Sequence, residues 1–97
     1  MYDLDFLKSQ RRKTRTEIKR YLIAFRDDIV TEFNIELPTK DEIRLMKKEE
    51  FDEWIVNNYS KFTTKEEMDL QLIEMLESFI CVENNILNLE NAQSVIM

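Results

Sequence analysis

The 97-residue chain carries 14 basic and 20 acidic side chains, a net charge of −6, and has neither glycine nor histidine. That excludes a glycine-rich phosphate loop and an imidazole proton shuttle. The balance of 43% hydrophobic and 35% charged residues is that of one soluble globular domain rather than a disordered chain.

Met1-Tyr-Asp-Leu-Asp5 lacks the basic start and apolar stretch of a secretory signal. No apolar run approaches the roughly 18 residues that would span a bilayer. The expectation is a cytoplasmic protein (host cytoplasm if phage-encoded) without a membrane partner. Cys81 is the only cysteine, so no intramolecular disulfide can form. Its setting, Phe79-Ile80-Cys81-Val82, predicts a small buried hydrophobe.

Ile18, Tyr21, Leu22, Phe25 and Ile29 recur at helical spacing. Thr14 and Glu17 form a capping-box pattern, yet a start there would crowd Arg11, Arg12, Lys13 and Arg15 at the positive end of the dipole. A start near Asp3 or Asp5 places carboxylates there instead. The predicted helix covers about 6–33, with room for a break in its middle.

Asn34-Ile-Glu-Leu-Pro38 ends it, because Pro38 biases Leu37 away from helical geometry. Thr39 and Glu42 then open a second helix as a capping box. Phe51, Trp54, Ile55 and Tyr59 continue at i, i+3, i+4 and i+8. No breaker separates Met46 from Phe51, so the second and third helices can be one rod.

Asn57-Asn-Tyr-Ser60 reads as a stop, and Thr63 and Thr64 with Glu66 and Glu67 as the next cap. A fourth helix is predicted over about 64–83, apolar almost all round and hence covered on several sides, ending at Asn84-Asn85. Ile86, Leu89, Ala92 and Ile96 suggest a short terminal helix capped by Asn88. The expected fold is an all-α bundle of four to five helices, one domain over 1–97, with a basic first helix (about 6–33) and an acidic body (about 39–97). Most of Phe25, Phe33, Phe51, Trp54, Tyr59, Phe62 and Phe79 should lie in or near its core.

Catalytic constellations are scarce. Glu49 and Glu53 share a helical face, but helical di-iron sites need Glu-x-x-His pairs and the EF-hand loop needs a mid-loop glycine. The cluster Glu49, Glu50, Asp52 and Glu53, like Glu66/Glu67 and Glu74/Glu77, reads as a solvated charged face. A glycosidase pair would need a cleft that a small bundle hardly offers. No Ser-x-x-Lys occurs. A helix-turn-helix over 39–59 would present four acids and no base to DNA phosphates. Bases interleaved among the acids also interrupt the anionic ridge that DNA mimicry requires. No enzyme activity, metal or cofactor is expected.

The cationic segment is the surface with a pattern. Residues 1–20 hold seven basic and three acidic side chains, +4, against seven and seventeen, −10, in residues 21–97. Lys8, Arg11, Arg12, Arg15, Lys19 and Arg26 fall within about 60° of one direction on a helix, roughly a quarter turn from the Ile18/Tyr21/Phe25 face. This stripe has three main destinations, the protein's own acidic body, an acidic groove on a partner protein or nucleic-acid phosphates, with a membrane surface as a minor fourth.

Leu4-Asp5-Phe6-Leu7 resembles the short tails by which late sigma factors and coactivators of T4-type phages engage the sliding clamp. There the motif is C-terminal, and the favoured reading here is a helix end tucked onto the bundle.

The expected function is a non-enzymatic interaction module docking on another protein or protein complex through Leu4, Phe6, Leu7, Lys8, Arg11, Arg12, Arg15 and Lys19. Usage rich in Lys, Ile, Asn and Glu suits a phage or mobile-element accessory factor: an assembly factor, particle subunit or inhibitor. The alternative is a nucleic-acid-associated or transcription-regulating protein contacting phosphates, or a clamp, through its N-terminal segment.

Overall fold

The structure, a computed structural model, describes residues 3–63 and 70–95, with side chains described up to residue 91. Four helices and no strand occur among these residues: α1 (Leu4–Phe33), α2 (Lys40–Leu45), α3 (Lys48–Thr63) and α4 (Leu70–Val95). The all-α bundle is therefore as expected, and several helix boundaries are not.

Helix α1 starts at Leu4, two residues before the expected boundary, and is unbroken. Asp3 is its cap: the carboxylate accepts a hydrogen bond from the Phe6 amide at 2.7 Å, and Asp5 adds negative charge in the first turn. The capping pattern at Thr14 and Glu17 is unused. Thr14 is buried, and its hydroxyl donates to the Gln10 carbonyl at 2.9 Å. The helix closes at Asn34 in the left-handed region (φ 52°, ψ 51°), where glycine is the usual occupant.

The Thr39/Glu42 capping box of α2 forms with both of its reciprocal bonds. Helices α2 and α3 are not one rod. Lys19 of α1 donates to the carbonyls of Arg44 at 3.3 Å and Met46 at 3.1 Å, groups a continuous helix would bond internally. Phe51 then opens α3 by donating to the Lys47 carbonyl at 2.9 Å.

Asn57-Asn-Tyr-Ser60 does not stop α3, which runs to Thr63. The Asn58 amide donates to the Trp54 carbonyl at 2.8 Å, so the polar side chain bonds back along the helix. The proposed cap at Thr64, Glu66 and Glu67 lies outside the described residues, as do Ile96 and the side chain of Ala92. Asn84-Asn85 does not end α4, and Asn88 caps nothing, because the helix continues to Val95. Its buried positions are Leu72, Leu76, Phe79 and Ile86, with Glu83 occupying the helical step between the last two.

One apolar cluster joins all four helices: Ile18, Leu22 and Ile29 of α1, Ile43 of α2, Phe51, Ile55 and Phe62 of α3, and Leu72, Leu76 and Phe79 of α4. The most extensive helix contact is between α1 and α4. Phe51 stacks on Trp54 at 5.9 Å between centroids, and Trp54 meets Phe62 edge-on at 6.2 Å. Such pairs add about 0.5–1.5 kcal/mol each beyond burial. Phe33, Tyr59 and Phe79 are also buried or half-buried, whereas Phe25 is 46% exposed and lies on Tyr21 along the outer flank of α1. Cys81 is exposed, contrary to expectation. It sits two residues past Phe79, about 200° around the helix from the buried seam.

The Asn34 geometry yields a stability test. Asn34→Ala should lower stability by about 1 kcal/mol, because a Cβ without a bonding amide is penalised at positive φ. Asn34→Gly should match or exceed the native midpoint in urea denaturation.

Candidate docking surface

The cations of α1 sit about a quarter turn from its apolar face, so that seat puts them at the seam where the other elements pack. Those facing the seam are engaged. Arg15 grips Asp52 of α3 with two parallel bonds, Nε to Oδ1 at 2.5 Å and Nη2 to Oδ2 at 2.6 Å. Their side chains are 11% and 15% exposed. Planar guanidinium matches carboxylate in this fork geometry, which a lysine cannot copy.

Arg11 reaches the other way. Its Nη1 donates to both carboxylate oxygens of Glu83 on α4, at 3.3 and 3.2 Å, while its Nε lies 3.9 Å from Asp52. That Nε is buried with no hydrogen-bond partner among the described residues, so it meets Asp52 through charge alone. Two arginines and two carboxylates thereby tie α1 to α3 and α4.

The Arg15 guanidinium is held above its ordinary pKa, first by its hydrogen bonds to Asp52 and then by the charges of Asp52, Glu49 and Glu83, against the pull of burial. A cation raised on folding adds stability below its unfolded value and loses it only as pH climbs through the folded one. The contribution is therefore constant across neutral pH.

Farther along α1, Lys19 holds the α2–α3 elbow and lies 5.7 Å from the Phe51 ring centroid. Arg26 donates to the carbonyls of Pro38 at 2.8 Å and Leu37 at 3.0 Å, clasping the loop before α2. Its Nη1 also bonds Asp27 at 3.0 Å. That bond first, and the charge of Lys40 second, holds the Asp27 carboxyl below its ordinary value.

The outward cations are different. Lys8, Arg12 and Arg20 lie along the neighbouring flank of α1, and Lys48 stands at the start of α3. All four are exposed, and none has a side-chain hydrogen bond or ion pair among the described residues.

Two grooves adjoin them. One, about 740 Å³, runs between α1, α3 and α4, with the four-charge network in its floor and Val56, Tyr59, Ile80 and Leu87 along it. The other, about 410 Å³, lies between α1 and the α2–α3 elbow. Its apolar lining is Ile23, Met46 and Phe51, its charged lining is Arg12, Arg15, Lys19, Arg20 and Lys48, and no carboxylate lines it among the described residues. A third groove, about 850 Å³, on another side of the α1–α4 pair, sets Lys13 among Glu17, Glu74 and Glu77 and is net acidic, so it does not favour an anion.

The residues singled out from sequence thus divide. Leu7 is 4% exposed and packs inside, and Leu4 is half-buried in the first turn. Phe6, Lys8 and Arg12 face solvent, while Arg11, Arg15 and Lys19 are half-buried and bonded within the chain. Arg20, Lys48, Ile23 and Met46 were missed. Arg20 sits two turns beyond Arg12, near the same flank, and that spacing was a readable signal. Lys48 and Met46 gave none, because the elbow places them. Glu49 and Glu53 are exposed, and the described residues contain no group of three acids or cysteines placed to hold a metal.

No protein-family model, curated protein or solved structure matches the chain.

Two tests follow from the ion pairs. Asp52→Ala should cost about 3 kcal/mol in urea denaturation, because it strands Arg15 at a largely buried seam, while Arg11 keeps Glu83. The pairwise replacement Arg15→Met with Asp52→Leu should recover most of that loss. Separately, Asp27 is exposed and its lowered value adds stability above the carboxylate range, lost as pH falls through the folded value. The melting difference between native protein and Asp27→Asn should be small at neutral pH and vanish on acidification.

Proposed function

We propose that the protein is a non-enzymatic interaction module that docks on an acidic surface of a partner protein through the outward flank of α1 and the start of α3. The observation that carries this reading is that Lys8, Arg12, Arg20 and Lys48 have no partner among the described residues, in a chain whose net charge is −6. An acidic protein has intramolecular carboxylates to spare, and the inward cations of the same helix use them. Cations left exposed beside apolar grooves are available to a partner's carboxylates.

A nucleic-acid partner is less well supported. The exposed carboxylates Glu49, Glu50 and Glu53 follow Lys48 directly and would repel a continuing phosphate chain. The glycine-free composition, rich in Lys, Ile, Asn and Glu, fits an accessory factor of a phage or mobile element, and that setting is part of the proposal.

The test is charge reversal at residues with no internal role. A variant carrying Arg12→Glu, Arg20→Glu and Lys48→Glu should keep its circular dichroism spectrum and melting temperature. Affinity capture from the source cell should recover a defined protein with the native chain and lose it with the variant. Recovery of the same protein by both would remove the flank from the docking surface.

A further inference from the structure

We infer that the groove between α1 and the α2–α3 elbow is a specificity pocket for a short acidic segment of a partner protein that presents an apolar side chain between its carboxylates. This deepens the docking reading and rests on it.

Charge complementarity selects the occupant. Arg12 and Arg20 of α1 and Lys48 of α3 line the groove, all exposed, together with the half-buried Ile23 and Met46. No carboxylate lines the groove among the described residues, so the charged contacts they offer an occupant favour an anion. The lining beside the cations is apolar, and a purely ionic ligand would leave it unused. A segment with acids on both sides of a Phe or Leu satisfies both surfaces at once.

The groove is also held open by bonds that do not involve its free cations. Lys19 bonds the Arg44 and Met46 carbonyls and sets the elbow, and Arg15 is committed to Asp52. Arg12, Arg20 and Lys48 can therefore turn to a ligand without loosening the bundle. A site preformed in this way loses less order on binding.

The same features disfavour a nucleic acid. Single strands are gripped by exposed aromatic faces on which bases stack. Among the described residues the one aromatic lining this groove, Phe51, is 1% exposed and offers no such face.

The experiment uses fluorescence anisotropy with the full chain and three probes: a labelled acidic peptide with glutamates flanking a central Phe-Leu pair, the same peptide with Ser-Ser at its centre, and an oligothymidylate of equal charge. The Phe-Leu peptide should bind. The Ser-Ser peptide should bind roughly tenfold more weakly or worse, the loss expected when an apolar anchor is removed. The oligothymidylate should be weaker than the Phe-Leu peptide, and the variant Arg12→Glu, Arg20→Glu, Lys48→Glu should bind none of them.

Equal affinity for both peptides, lost in the variant, would overturn the pocket while leaving the docking flank standing. Tightest binding of the oligothymidylate would overturn both in favour of a phosphate partner. No binding of any probe would also overturn the pocket, and the capture experiment would then judge the flank alone. Sedimentation showing a dimer of the native chain that the variant abolishes would assign the groove to a second copy instead.

Discussion

The bidentate grip of Arg15 on Asp52 is the contact on which the arrangement of helices depends. A largely apolar core holds rods together but does little to fix how far one slides along another, since many sliding positions bury similar area. A planar guanidinium and a planar carboxylate, both mostly withdrawn from water, accept few alternative geometries. Arg11 extends the constraint by reaching from the same region to Glu83. The first helix is thereby registered against α3 and α4 together. Glu83 occupies a step in the buried face of α4 where an apolar residue would otherwise be expected, and Arg11 is what makes an acid tolerable there.

The same row of cations takes on work that glycine does in other proteins. A chain without glycine has few residues that turn freely, and only Asn34 takes a positive φ among the described residues. The changes of direction on either side of α2 are held from outside. Lys19 captures carbonyls where α2 stops, and Arg26 captures those of the loop that precedes it. Long side chains from one straight helix thus terminate other elements by satisfying backbone groups that would be costly to leave unbonded. The Thr39/Glu42 box is the local exception, complete within its own four residues.

Division of labour along α1 also explains how an acidic protein keeps a cationic face. Residues turned toward the seam find carboxylates and carbonyls of the same chain. Residues farther out, at 8, 12 and 20, make no ion pair among the described residues, and Arg12 and Arg20 share a groove with Lys48. The proposed docking surface is built from cations that internal pairing among the described residues does not use. Its apolar lining exists because the α2–α3 elbow, closed by Lys19, brings Met46 and Phe51 alongside Ile23.

Local pattern was enough to determine the helical class, the apolar face of α1, the α2 cap and most of the aromatic core, since periodicity and capping involve residues three or four apart. It also marked the cations as a stripe. It could not say which of them face inward, because a quarter turn separates seam from solvent and the partners lie 37 and 72 residues away. Nor could it place the ends of α3 and α4, where Asn pairs read as stops yet the helices continue. Asparagine weakens a helix by only a fraction of a kcal/mol, and burying Phe62 and Ile86 beyond those pairs outweighs it. The break after Leu45 was invisible for the complementary reason: its cause is an amine from another helix, and only the folded arrangement supplies it.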